Sequence, residues 1–296
     1  MFEFSRLSYK RQKMILIVSF LFLPLLFLAV FSYLPLLNML YYSFFDWNGF
    51  SKTKEFIGLA NYLTIFTRPE YFSVFKVSAY YFVGSLVQIS LALYFATVLS
   101  FKVKGKNLFK GILFFPYLLN GVAIGFIFLY FFRPDGTLDT LLRLLGLGEY
   151  TQLWLGNPKI INISLTGASV WRYFGYNLVI FIGAIQSVPA ELYEAAELDG
   201  ANKGQEFLYV IFPSIKPIVE LNMILSISGA IGVFEIPYIM TAGANGSKTF
   251  VIQTVDTAFK FSKMGLASAM AVVLLAIVVV VTLIQKKLFS GKEART

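Results

Sequence analysis

Polar side chains interrupt the long apolar segments of this chain, and they are the residues whose types could do chemistry. Arg172 and Glu235 are the charged members that lie deep in such segments. Because polar groups are costly inside a lipid bilayer, they are expected to face a cavity or another helix. The polar and aromatic side chains of interest in these segments are those of Tyr117, Asn120, Ser169, Trp171, Tyr173, Asn222, Ser226 and Glu235.

A structural interpretation of the same residues stays open beside the functional one. Serine and asparagine side chains in membrane helices often only bridge one helix to another. Trp171 and Tyr173 also suit the outer membrane interface, where aromatic rings are enriched. Arg172 and Glu235 either pair across two helices or face the solute. The glycines of Gly121-Val-Ala-Ile-Gly125 allow close helix packing.

The residue types that the chain lacks exclude several kinds of chemistry. It contains no cysteine and no histidine. Disulfides, thiolate catalysis, Cys/His metal sites and imidazole acid–base chemistry are therefore excluded. Asp135 and Asp139 are the pair that comes nearest to the clustered acids that a membrane enzyme would need near a membrane face. We predict no catalytic residue, no metal ligand and no cofactor in this chain.

The elements that position these residues are predicted to be membrane-spanning helices. Of 296 residues, 57% are hydrophobic and 14% are charged, and a single soluble core at this length could not bury so much apolar surface. A bilayer is crossed by about 20 mostly apolar residues. The predicted fold is all-α, with six spans over residues 14–37, 77–100, 111–132, 160–188, 218–242 and 264–285. They form one transmembrane domain over residues 14–286, between an N-terminal segment 1–13 and a tail 287–296.

The positive charges predict the orientation of these helices in the cytoplasmic membrane. Compact clusters lie at residues 6–13, 102–110 and 286–295, and lysine and arginine near helix ends mark the cytoplasmic side. Both termini are therefore predicted to be cytoplasmic. The formal net charge of +9 is then a topology signal that attracts anionic lipid, and no nucleic-acid role is predicted.

The cytoplasmic loop 187–216 between the fourth and fifth spans is predicted to form a helix, a tight turn and a second helix. Pro189 suits a first helical turn, and Gly200 offers the left-handed residue that ends a helix sharply. Asn202 is suited to cap a second helix running to Pro213. A helix–turn–helix is not required to cross a bilayer, so we interpret it as a surface to which another protein docks. The small Ala195–Ala196 pair would let another protein approach closely.

This loop resembles the EAA loop of ABC-importer permeases. The match consists of Glu194-Ala195-Ala196, three residues, Gly200, nine residues, and then Val210-Ile-Phe-Pro213. Further stretches, such as Gly136-Thr-Leu-Asp139 and Met240-Thr-Ala-Gly243, are similar to the binding-protein-dependent carbohydrate importer family (MalF/UgpA-like) over nearly the whole chain. The fold that this implies is that of a type I ABC importer permease. The implied docking residues are Glu194, Ala195, Ala196, Asp199, Gly200 and Pro213.

The resemblance also implies partners and a substrate. Corresponding parts of the third, fourth and fifth spans line the sugar site in that family, which indicates that the polar and aromatic side chains given above line a solute pathway. A second homologous permease, two ATPase subunits and an extracytoplasmic solute-binding protein are implied, with ATP and Mg bound by the ATPase. This chain has no Gly-x4-Gly-Lys-Ser/Thr phosphate loop, so we predict that it is not itself an enzyme.

Two other classes of protein compete with this interpretation. A secondary transporter would need paired intramembrane acids and often carries an inverted repeat, but only Glu235 lies deep in a span. A membrane enzyme acting on a lipid-linked substrate would need clustered acids near a membrane face. Sequence alone does not identify the sugar, and a polyol or glycerol phosphate stays open.

Overall fold

The computed structural model describes residues 8–100 and 105–290, which form mostly helices. The helices are α1 (Tyr9–Leu28), α2 (Leu34–Tyr42), α3 (Ala60–Thr67), α4 (Pro69–Ser73), α5 (Phe75–Ser100), α6 (Lys106–Leu118), α7 (Gly121–Phe132), α8 (Thr137–Leu144), α9 (Ile161–Gln186), α10 (Ala190–Leu198), α11 (Lys203–Glu206), α12 (Phe212–Ile231), α13 (Glu235–Thr241), α14 (Phe250–Val255) and α15 (Met264–Ser290). The strands β1 (Phe45–Asp46) and β2 (Glu55–Phe56) pair antiparallel. Parts of the basic clusters, namely Arg6, Lys102, Lys104, Lys292 and Arg295, lie outside the described residues.

Five helical stretches are long and apolar enough to cross a membrane. They are Tyr9–Tyr42, Pro69–Ser100, Ile161–Gln186, Lys203–Thr241 and Met264–Leu288. A sixth crossing results if the pair Lys106–Leu118 and Gly121–Phe132 is one broken span. The predicted all-α membrane fold is therefore confirmed.

The predicted span 111–132 is not one continuous helix. Helices α6 and α7 meet at an angle of 98°. Leu119 has extended backbone, with ψ at 142°, and the Asn120 side chain accepts a hydrogen bond from the backbone N–H of Val122 at 2.8 Å. This cap satisfies a helix N-terminus, so the segment breaks where the apolar pattern alone predicted continuity.

A first compact unit comprises Met1–Thr67 and Thr254–Val273. No residue of α1 is buried by the described chain, which is the state of a helix whose apolar surface faces lipid. After α2, the Asn61 side chain donates to the backbone oxygens of Ser43 and Phe45, at 2.9 and 3.0 Å. The backbone N–H of Gly265 donates to the Trp47 oxygen at 3.0 Å. These bonds fix the short hairpin β1–β2 against the beginning of α15.

The second compact unit comprises Arg68–Gln253 and Leu274–Thr296, and α9 lies at its centre. One buried cluster joins Leu178, Phe181 and Ile185 of α9 to Ile215 of α12. Another joins the first turns of α9, at Ile161 and Leu165, to Ile124 of α7. Because α9 packs against α5, α6, α7, α12 and α13, its polar side chains face the middle of this unit.

The fifth predicted span is broken as well, at Gly232–Phe234 between α12 and α13. Before it, a π-helical turn over Phe207–Ile211 joins α11 to α12. The second helix of the loop was predicted to run to Pro213 and lead into the next span, and helical structure does continue through this residue into α12. Pro213 lies in the first turn of α12, and the wide preceding turn accommodates its missing N–H.

Candidate solute site and docking turn

An aromatic wall forms where α6 crosses α9. A Cβ on Gly175 would lie 1.9 Å from the backbone oxygen of Leu113, so only glycine permits this close approach of the two helices. The approach brings the Tyr117 ring to 4.6 Å from the Tyr176 ring, stacked at 29°. The Tyr173 ring centre lies 6.1 Å from that of Tyr117. Three tyrosine rings therefore share one side of the second unit.

This wall faces a cavity of about 490 Å³, a volume typical of small-molecule sites. Residues of α5, α6, α9, α12 and α13 line the cavity. Its hydroxyl and amide groups belong to Tyr81, Ser85, Gln88, Tyr117, Thr166, Ser169, Tyr173, Tyr176, Asn177, Asn222 and Ser226. The arrangement combines aromatic faces with many uncharged hydrogen-bonding groups.

Three buried polar atoms of this lining have no hydrogen-bond partner among the described residues. They are the Tyr81 hydroxyl, the Thr166 hydroxyl and Nε of Arg172. A buried polar group without a partner costs about 1–3 kcal/mol. Because these three atoms are buried, they are not open to a solute, and the accessible polar groups of the cavity are other hydroxyls and amides of the lining, such as the Tyr173 and Ser226 hydroxyls.

Arg172 and Glu235 form an ion pair at the edge of the cavity. The Arg172 guanidinium donates to Oε2 of Glu235 at 2.6 Å, and the arginine side chain is only 12% exposed. The guanidinium carbon also lies 5.2 Å from the centre of the Tyr173 ring, within cation–π distance. The ion pair thus connects α9 to the first residue of α13. Of the two alternatives that the sequence left open, the structure shows the pairing across two helices.

Six of the eight predicted pathway residues line the cavity, namely Tyr117, Ser169, Tyr173, Asn222, Ser226 and Glu235. Asn120 does not, because its side chain caps α7. Trp171 does not either, since its ring packs edge-to-face on Phe128 at 5.2 Å and is 43% exposed. The structure brings the six together from four helices that are distant in sequence.

Sequence reasoning did not place the contribution of α5 in the pathway. Tyr81, Ser85 and Gln88 line the cavity, although the segment had been interpreted only as an apolar span. Their spacing of four and then three residues places them on one helical face. Thr166, Ser169, Tyr173 and Tyr176 show the same spacing along α9. A search for polar stripes at helical spacing would have found both.

The docking turn, Glu194–Gly200, has the conformation that the sequence predicted. Helix α10 begins after Pro189 and ends at Leu198, and Gly200 adopts the left-handed φ of 74°. The N–H of Ala201 donates to the Ala196 oxygen at 2.9 Å, and the N–H of Gly200 donates to the Glu197 oxygen at 3.1 Å. This pair of bonds is the Schellman closure of a helix C-terminus.

The residues on either side hold the docking turn in place. The Asn202 side chain accepts hydrogen bonds from the N–H groups of Gly204 and Gln205, and the Gln205 side chain completes a capping box. The Tyr193 hydroxyl donates to the Ile185 oxygen of α9 at 3.1 Å. Burial, and secondarily the Glu206 carboxylate, raises the pKa of Tyr193 above its ordinary value. Both ends of the turn are thereby anchored.

The surface of the docking turn is open to a partner. Glu194, Ala195, Asp199 and Gly200 are exposed, and so is Pro213 at the beginning of α12. Ala196 is partly buried. Leu198 is 89% exposed, a large apolar side chain that sequence reasoning did not single out. An apolar tip ringed by carboxylates has the composition of a protein-binding surface.

Asp135 and Asp139 make hydrogen bonds and an ion pair that stabilise the loop around α8. The buried Asp139 carboxylate accepts from Nε1 of Trp154 at 2.8 Å and from the N–H of Asp135 at 3.0 Å. Asp135 pairs with Arg143, and this bond raises the pKa of Arg143 above its ordinary value. Within residues 8–100 and 105–290, no group of three or more acidic side chains could hold a metal ion.

A polar cavity among membrane helices and an exposed turn between two of them suit a transport permease. The chain belongs to the family described as binding-protein-dependent transport system inner membrane component, whose model matches residues 88–292. It is therefore an inner-membrane ABC-importer permease, as the sequence predicted. This membership decides against the secondary transporter and the membrane enzyme.

Individual relatives agree with this family. The chain is 36% identical to the probable ABC transporter permease protein YurN of Bacillus subtilis, over 94% of this chain and 98% of that protein. It is 34% identical to the arabinooligosaccharides transport system permease protein AraP of the same organism, over 79% and 76%. A crystal structure of a bacterial ABC transporter involved in import of the acidic polysaccharide alginate shares the fold, with a TM-score of 0.81 at 17% identity over 96% of this chain and 98% of that one.

Proposed function

We propose that this permease moves a sugar or oligosaccharide across the cytoplasmic membrane after an extracytoplasmic binding protein has delivered it. The observation that carries the proposal is the wall of Tyr117, Tyr173 and Tyr176, which borders a cavity rich in hydroxyl and amide groups. Sugars stack their C–H faces on aromatic rings and exchange hydrogen bonds through their hydroxyls. The name of the relative AraP, which refers to arabinooligosaccharides, supports the same substrate class.

The energy for transport is proposed to come from ATP that a partner hydrolyses. Two ATPase subunits bind ATP and Mg, and a second homologous permease completes the membrane core. The docking turn contacts the ATPase through Glu194, Ala195, Ala196, Asp199 and Gly200, with Pro213 at the following helix. This assignment is supported by the exposed apolar tip at Leu198 and by the anchoring of the turn to α9 through Tyr193.

The proposed orientation places both termini and the loop 187–216 in the cytoplasm, on the side of the basic clusters. Because the chain has no cysteine, single variants Ser51→Cys and Asn202→Cys each carry one label site. We expect a membrane-impermeant thiol reagent to label Ser51→Cys in intact cells and Asn202→Cys only after lysis. Labelling of Asn202→Cys in intact cells would contradict this orientation.

Purification and uptake test the function together. A tagged chain, extracted in mild detergent, is expected to bring with it an ATPase and a second permease, in a complex that contains two ATPase copies by native mass spectrometry. Cells that lack the chain should lose uptake of an oligosaccharide and regain it on complementation. Uptake supported by the chain purified alone and reconstituted in vesicles would overturn the proposal.

A further inference from the structure

The cavity contains two charged side chains, and they neutralise each other. Among the described residues that line it, Arg172 and Glu235 are the only ionisable groups charged at neutral pH, and they lie 2.6 Å apart. All other polar lining groups are hydroxyls and amides. A solute in this cavity therefore meets no unpaired cation of this chain.

Helix α7 holds the pair together from a third side. The first residue of α7 is Gly121, and a Cβ there would lie 1.9 Å from Oε2 of Glu235. The carboxylate thus packs directly against the glycine backbone while it accepts the hydrogen bond from Arg172. Separation of a partly buried ion pair leaves two poorly solvated charges, which is costly. The pair is a fixed part of the wall.

An acidic solute would be poorly accommodated here. A carboxylate or phosphate that leaves water needs charge-assisted hydrogen bonds in return, and the guanidinium that could give them is engaged by Glu235. The Glu235 carboxylate, 43% exposed, would in addition repel an anion. An uncharged solute needs only ordinary donors and acceptors, and lining hydroxyls such as those of Tyr173 and Ser226 provide them.

We propose that the solute of this permease is an uncharged saccharide or polyol, and that Glu235 enforces this by neutralising Arg172. The inference rests on the proposed function and names the substrate class of the same cavity. The solved importer named for the acidic polysaccharide alginate shares this fold. The fold alone is thus compatible with an acidic cargo, and charge selection is a property of the residues in the wall.

The test measures binding to the purified importer complex by calorimetry at low salt, with maltotriose and xylotriose as neutral probes and trigalacturonate as the acidic one. We expect wild-type binding of trigalacturonate to be much weaker than that of either neutral trisaccharide. Glu235→Gln should strengthen it by about ten- to a hundredfold, the worth of a charge-assisted hydrogen bond. The double variant Arg172→Gln/Glu235→Gln should lose the gain, because it restores neutrality.

A second variant frees the Arg172 guanidinium while both charged side chains stay in the wall. Gly121→Ala would push the end of the Glu235 side chain away from Arg172, and should also gain trigalacturonate binding. Its matched control is Gly125→Ala, one turn further along α7, where the Cβ would meet Ile239 at 2.6 Å. Both changes disturb the packing of α7 on α13, but only the first touches the charge pair. Gly125→Ala should therefore show no gain.

The outcomes separate this inference from the proposed function. Wild-type binding of trigalacturonate as tight as that of either neutral trisaccharide overturns it. If neither Glu235→Gln nor Gly121→Ala gains trigalacturonate binding, the inference is also overturned. A chain that carries no ATPase through purification, or whose loss affects no saccharide uptake, refutes the proposed function instead.

Discussion

The cavity and the docking turn are constructed in contrasting ways within one unit of the chain. Seven consecutive residues make the turn, whereas the cavity collects side chains from five helices between Tyr81 and Ile236. The turn closes through its own backbone hydrogen bonds, while the cavity is lined by hydroxyl and amide groups from several helices. The turn is already folded for the protein contact that we propose, and the cavity offers hydrogen-bonding groups to a solute.

This contrast predicts that substitutions in the turn and in the cavity impair different steps of transport. A change in the turn should impair coupling to ATP hydrolysis and leave solute binding intact. A change in the cavity should alter solute binding and leave the assembled complex intact. Each of the following variants tests that separation.

The largest effect is expected from Ala196→Trp. An indole at the small-residue pair of α10 would hold the ATPase surface away from the centre of the contact. We expect ATPase binding to weaken by about 2 kcal/mol or more, a factor of about thirty, as for a disrupted hot spot, and uptake to be lost. Co-purification and uptake measure this, with exposed Ala190→Trp on the same helix as the control. An unchanged complex would show that this face of α10 contacts no partner.

Gly200→Val should produce the next largest effect. A Cβ at Gly200 would meet no atom within 4 Å, so the whole penalty comes from its left-handed φ of 74°. That penalty is about 1–2 kcal/mol, a five- to thirtyfold shift away from the native turn. We expect a normal protein level with weakened ATPase association and poor uptake.

Gly200→Asn is the matched control, because asparagine tolerates this conformation, and it should retain most uptake. Normal transport by Gly200→Val would mean that the turn is only a connector. It would also remove the contrast between the two regions.

Tyr117→Ala tests the contribution of the cavity to saccharide binding. Removal of the ring that stacks on Tyr176 should weaken saccharide binding by about 0.5–1.5 kcal/mol, or roughly two- to twelvefold. Tyr117→Phe retains the stacking and should bind nearly as tightly as the wild type. Both variants are expected to co-purify with the ATPase. Loss of the ATPase from Tyr117→Ala would show that the two regions are not separable.

The smallest effect is expected from Trp171→Ala. The sequence placed Trp171 in the pathway, but its ring contacts Phe128 outside the cavity. Solute affinity measured by calorimetry should therefore be within about twofold of the wild type, an energy of about 0.4 kcal/mol. A larger loss would restore the prediction made from sequence and extend the solute site toward α7.

The docking turn was predictable from sequence because its rules are local. Gly200 after the helix and Asn202 as the next cap act within a few residues and occupy the predicted positions, whereas Pro189, predicted in the first turn, is the residue just before that turn. The second helix leads into the fifth span as predicted, but the π-helical turn over Phe207–Ile211 that precedes Pro213 was not predicted.

The cavity was predictable only in part. Polar residues within the spans, such as Asn222 and Ser226, could be found because each polar side chain is costly in lipid and so stands out in an apolar segment. Their assembly depends on the break at Leu119–Asn120, the break at Gly232–Phe234 and the close approach at Gly175. The close approach at Gly175 is a long-range feature, whereas the 98° bend within residues 111–132 coincides with a local signal, the cap residue Asn120 before Gly121, which the search for apolar runs passed over. The pairing of Arg172 with Glu235 likewise required the geometry.

The closure of the docking turn has a consequence for the speed of assembly. Its two C-terminal backbone bonds and the capping box at Asn202 are complete in the isolated chain. Docking then freezes little further backbone motion, and the entropic cost of association is reduced accordingly. A surface that needs no folding step before contact also avoids the delay of induced fit. We therefore expect the ATPase proposed as the partner to meet a turn that is already folded.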